Sequence, residues 1–230
     1  MLAWGVVWRV VHCPPWPAAH VGTGPRESLW QAVGKFGALL RLPRTWGSVL
    51  LAGVGCASFI SLRRLWLGPL LLARHGFSLV GSGKVALAMS LAALIGPPLF
   101  GQLDPGPALD ARLFTLLLVA ALFAVLSLTH RTTTGVLEPI AIGGLSGSLV
   151  WQYAELRDAC PPAITGRAMA VLTMAMFLGV AVTQAFTGWL ASSAAARSVE
   201  PFSAVLGSID ALLVAGTAAF VVLPAPKPLT

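Results

Sequence analysis

Charge is scarce in this sequence. Only 10% of its 230 residues are Asp, Glu, Lys or Arg, whereas 57% are hydrophobic and the mean hydropathy is +0.83. A soluble domain covers its surface with about 25% charged residues, so a single soluble core is excluded. Cysteine is scarce too: Cys13, Cys56 and Cys160 form no C-x-x-C and no metal spacing. His12, His20, His75 and His130 are dispersed along the chain, and no metal or other cofactor is expected. No H-E-x-x-H, no G-x-S-x-G and no His/Glu/Asp cluster occurs, which argues against an enzyme. Gly81-Ser82-Gly83-Lys84 lacks the frame of a phosphate loop, and Gly144-Leu145-Ser146-Gly147 is no nucleophile elbow. The start lacks a basic n-region and an A-x-A cleavage pattern, so no secretory signal is expected.

The net charge of +7 raises the question of nucleic acid. The basic residues form no stripe and no aromatic-interleaved patch, however, so no nucleic-acid partner is expected. They flank apolar runs instead, as cations do beside membrane helices.

Six apolar runs are long enough to cross a hydrocarbon core of about 30 Å. They cover about Thr45–Ala73, Val85–Leu103, Leu113–Thr129, Thr132–Ala154, Ala168–Ala194 and Phe202–Leu223. The expected architecture is an all-α integral membrane domain of six helices over residues 45–223, with the lipid bilayer as its first partner. Residues 1–44 precede it as a short apolar stretch (Met1–Val11), a Pro-rich loop and an amphipathic cytoplasmic linker. Leu29, Val33, Phe36 and Leu40 give that linker its helical spacing. Residues 224–230 form a short basic tail. Arg74–Gly76 and Gly81-Ser82-Gly83 are expected to form the first turn, and Glu155–Arg167 a later loop. Pro97-Pro98 predict a kink. The third run, without charge, Gly or Pro, is expected to be the most lipid-exposed.

Six crossings put both termini on one side. That side collects eight Lys and Arg against six opposite, or four if Arg63 and Arg64 lie within the membrane. The excess places both termini in the cytoplasm.

Ionisable residues inside apolar runs are candidates for function, because each costs about 2.5–3.5 kcal/mol on insertion scales when it meets lipid. Arg63 and Arg64 are candidates to hold an anionic group of a small solute, or else snorkel to an interface or pair structurally. Trp66 lines the same cavity or anchors at an interface. Glu138 and Asp210 are candidates for proton or ion coupling; otherwise Glu138 caps the kinked helix end or pairs with Arg131, and Asp210 pairs within the bundle. Gln184 binds substrate or glues helices together. Gly143 and Gly147, at G-x-x-x-G spacing, and Gly179 and Gly188 are expected at close helix approaches.

Residues 26–223 resemble the C-terminal six-helix half of a bacterial major facilitator superfamily transporter. Four features carry the resemblance: the charged linker Arg26–Arg44; Leu65-Trp66-Leu67-Gly68-Pro69 followed by His75-Gly76-Phe77-Ser78; Gly96-Pro97-Pro98 through Gly101-Gln102-Leu103-Asp104; and Pro161, Gly166-Arg167-Ala168 with Gly179, Gln184 and Gly188. The third is similar to the loop motif G-x-L-x-D-R-x-G-R. Its remnant is Gly101, Asp104 and Arg112, since Pro105 stands where a basic residue is expected. The resemblance implies half of a twelve-helix alternating-access carrier in the inner membrane, moving a small solute without ATP. It also implies a partner: the missing N-terminal half, or a second copy. Met1–Val11 then looks like the clipped remainder of a sixth helix, and the chain like an N-terminally truncated half. The other reading is a non-transporting membrane module, either a half-carrier dimer or an assembly subunit.

Overall fold

The structure, a computed structural model, describes residues 43–103, 109–159, 162–198 and 200–222, all within the unit Phe36–Thr230. The amphipathic linker as far as Leu42, Met1–Val11, Asp104 and the tail 224–230 lie outside the described residues.

Every regular element among the described residues is helical. Helix α1 (Pro43–Ser61) continues without a break through a π-helical turn at Leu62–Trp66, a short α-helical stretch at Leu67–Pro69 and a second π-helical turn at Leu70–Arg74. Pro69 explains the irregularity. It brings no amide to the helical ladder, and the chain shifts register around it, with Leu67 N–H reaching Leu62 C=O.

Helix α2 (Leu79–Gln102) begins six residues before the expected Val85, and this corrects the reading of Gly81-Ser82-Gly83 as a turn. Ser78 Oγ caps it by accepting from Gly81 N–H at 3.1 Å. The turn proper is compressed into Gly76, which has positive φ, and its neighbours.

Helix α3 (Leu109–Leu128) buries Leu116, Ala120, Phe123 and Leu126 at helical spacing. It is therefore not the most exposed span: 33% of its most apolar window is buried, against 17% for the long helix α6 (Pro162–Ala196). Lack of charge made α3 look lipid-facing, but its apolar stripe is needed for packing. Helix α4 (Thr132–Leu145) runs through a 3₁₀ turn, Ser146–Ser148, into α5 (Leu149–Ala159). The helical backbone thus continues five residues past Ala154. Pro162 opens α6 at a helix start, where a missing amide costs nothing. Helix α7 (Pro201–Val222) completes the described residues.

Among the described residues five helical segments are long and apolar enough to cross a membrane, which makes this a multi-pass membrane architecture. Helix α1 packs chiefly on α6, α2 on α4, and α3 on α7. The main core joins Leu62, Trp66 and Leu70 to Phe123, Leu206 and Ile209. A second core joins Val49 and Ala52 to Leu156, Leu172 and Met176.

Candidate functional site

The arginine pair sits in the first π-helical turn, near the middle of the segment Val49–Arg74. Arg63 turns toward α2. Its Nε and Nη2 donate to Ser90 Oγ at 3.2 and 3.0 Å, while the serine hydroxyl donates to Ala86 C=O at 2.6 Å. Arg64 points elsewhere, is exposed, and meets no carboxylate among the described residues. The structure thus separates two neighbours that look equivalent in sequence.

Trp66 does not line an open face. It is buried, its indole donates to Thr187 Oγ1 at 3.1 Å, and its ring meets Phe202 edge-on at 6.5 Å. It joins the first span to α6 and α7. Gln184 lies half-buried one turn before Thr187, with no side-chain hydrogen bond among the described residues.

Glu138 and Asp210 are not brought together with the arginines. Glu138 is buried in α4 beside Pro139; among the described residues its Oε2 has no hydrogen-bond partner, and no ion pair joins it to Arg131. Asp210 is half-buried in α7.

Of the loop-motif remnant, Gly101 is exposed near the end of α2. Arg112 pairs with Glu155 at 2.8 Å, tying the start of α3 to α5. Beside that pair Trp151 donates to Phe100 C=O at 2.8 Å, satisfying one of the last carbonyls of α2.

Three of the four glycines lie where helices touch. A Cβ on Gly143 would stand 2.6 Å from Met89 C=O, and one on Gly179 2.8 Å from Gly53 C=O. A Cβ on Gly147 would collide with the backbone of Gly96. Gly188 differs: a Cβ there would meet nothing, so no close approach within the described residues requires it.

A polar cluster forms around a residue that the sequence marked only as part of the first turn. Arg74, its side chain 2% exposed, closes the end of the first span. It grips both Glu200 oxygens (Oε2 at 2.8 Å), Leu126 C=O at 3.0 Å and Ser203 Oγ at 2.7 Å. Its guanidinium also lies 5.6 Å over the Phe202 ring. The Arg74 hydrogen bonds and charge hold the Glu200 carboxyl below its ordinary range. Next to Arg74, the His75 ring lies against Gly135, and neither ring nitrogen has a hydrogen-bond partner among the described residues. Burial, and then the charge of Arg74, push the His75 pKa down. Only the charge of Arg74 near an apolar run could have flagged this cluster; its partner lies 126 residues away.

The described residues thus form a helical membrane fold with polar clamps at its helix ends and an arginine pair at mid-span. No family model matches the chain, and no curated protein matches it by sequence. Among solved structures it is similar to a bacterial homolog to the human lysosomal transporter Spinster in an inward-facing, unoccupied conformation. The TM-score is 0.56 at 18% identity, over 95% of this chain and 55% of that one. The inward-facing, occupied conformation of such a homolog gives a TM-score of 0.51 at 19% identity, over 81% of this chain and 49% of that one. The chain spans about half the length of these transporters, and the likeness is one of fold.

Proposed function

We propose that this chain is the C-terminal, six-span half of a secondary carrier that moves a small solute across a bacterial inner membrane by alternating access. One observation carries the reading. A match over nearly the whole of this chain uses only 55% of a solved transporter. The crossing added to the five long apolar segments, fourth in chain order, is α4, the 3₁₀ turn and α5 taken as one helix from Thr132 to Ala159. Numbering the spans one to six, the packing of one on five mirrors that of four on two, while three packs on six. That is the arrangement expected of paired inverted three-helix repeats.

The second lobe comes from a separate N-terminal half or from a second copy. Arg63 and Arg64 at mid-span face the solute in this reading, and Gln184 on α6 is a separate candidate contact. Glu138 and Asp210 are the coupling carboxylates, and both termini lie in the cytoplasm.

Sided labelling tests the topology. Single cysteines at residues 76, 130 and 198 should react from the periplasm, and cysteines at 106 and 160 should not. Labelling on one side throughout, or release of the chain by alkaline wash, overturns the reading. Crosslinking in membranes then separates a symmetric dimer from a two-half carrier. A stable dimer without uptake of any solute in proteoliposomes favours the non-transporting module.

A further inference from the structure

We propose that Arg64 contacts an anionic group of the solute, with Arg63 positioned beside it by Ser90, so that the solute carries a carboxylate, phosphate or sulfonate. This rests on the carrier reading and adds the substrate class and a residue, Ser90, that the sequence did not single out.

Depth comes first. Arg64 precedes Arg74, the end of its span, by ten residues, or about 15 Å at 1.5 Å per residue, which is half of a core about 30 Å thick. An arginine stem is much shorter than that, so neither guanidinium reaches an interface by snorkelling. A lipid-facing cation at this depth is the costliest arrangement. The face bearing Arg64 therefore meets water, a ligand or another lobe.

Among the described residues no carboxylate neutralises the pair. Among the described residues Glu155 is taken by Arg112, Asp158 by Arg157 and Glu200 by Arg74. Glu138 and Asp210 lie on α4 and α7 and reach neither arginine. Arg63 finds only a neutral hydroxyl, and that hydroxyl already spends its proton on Ala86. Among the described residues the two charges stand side by side with a serine as their only partner.

The backbone is consistent with a binding role. Arg63, Arg64 and Trp66 fall in a π-helical turn, a distortion that recurs at functional sites. Trp66 on the opposite side is locked to Thr187, which fixes the turn's rotation and keeps Arg64 facing outward. A guanidinium so placed offers a planar fork to an oxyanion.

The test uses the full chain in phosphatidylcholine nanodiscs, free of anionic headgroups. Thermal unfolding is followed against succinate, inorganic phosphate and glycerol at constant ionic strength set with chloride. Succinate or phosphate should raise the melting temperature saturably, and glycerol should not. Arg64→Gln should raise the apparent Kd by about tenfold or more, while Ser90→Ala, which frees Arg63 from α2, should shift it less. Arg64→Lys, which keeps the charge and loses the fork, guards against a folding defect in the glutamine variant and should fall between. An equal response in wild type and Arg64→Gln, the same response to glycerol, or no saturable response overturns the proposal. If residues 76 and 106 still label from opposite sides while no anion acts, only the anion assignment fails; if they do not, the carrier reading fails with it.

Discussion

Arg74 and Glu200, 126 residues apart, meet through both carboxylate oxygens and hold three helix ends together. Arg74 ends the first span, Leu126 C=O belongs to the last turn of α3, and Ser203 stands in the first turn of α7. Ser203 in turn donates to Ser127 C=O at 2.9 Å, so two otherwise orphaned carbonyls of α3 are satisfied. Arg74→Gln should therefore lower stability in detergent by about 2 kcal/mol, the scale of lost charge-assisted bonds and unpaired carbonyls. Unchanged unfolding would show that the clamp contributes nothing.

The same clamp predicts an acid limb. The folded Glu200 carboxyl lies below its ordinary 4.5, so its contribution is complete above that pH and fades as pH falls toward the lower folded value. His75 adds a second part. Its folded value lies below 6.5, the unfolded chain takes up the proton first, and stability declines on acidification from about there. Melting temperatures from pH 8 to about 4 should decline in two stages. His75→Asn should flatten the upper stage and Glu200→Gln the lower. A profile unmoved by both substitutions contradicts the assignment.

Close glycine contacts make a contrast within one chain. Gly147→Ala or Gly96→Ala puts a Cβ into facing backbone, which cannot rotate away. Each should cost about 1–3 kcal/mol, the usual price of overpacking. Gly101→Ala and Gly188→Ala meet nothing and should be near neutral, within about 0.5 kcal/mol. Equal effects in both groups would mean that α2 and α4 do not approach as described.

Trp66 and Thr187 join the first span to α6 through one buried hydrogen bond. A double-mutant cycle of Trp66→Phe and Thr187→Val should give a coupling of about 0.5–1.5 kcal/mol, in the range of intramembrane hydrogen bonds. Zero coupling would leave Trp66 free to face a cavity.

The crossings were largely legible, because 18 or more apolar residues in sequence have few places to go but a bilayer. Helix ends were less so. Gly81-Ser82-Gly83 read as a turn, yet Ser78 caps a helix that runs through them. The short polar loops also hid how far helices continue, as with α5 beyond Ala154. For the site, sequence marked Arg63, Arg64 and Glu138 by the cost of charge in an apolar run. It gave no sign of Ser90, which only the packing of the first span on α2 brings to Arg63.

By itself the sequence determined a membrane-crossing helical chain, and it located the charges that lipid would penalise, since both follow from local hydropathy. Tertiary structure alone decided which charges find partners. Arg74 is tied down by Glu200 and Arg112 by Glu155, while Arg64 is left facing outward. A charge's cost is written along the chain, but the group that offsets it comes from wherever packing brings another helix.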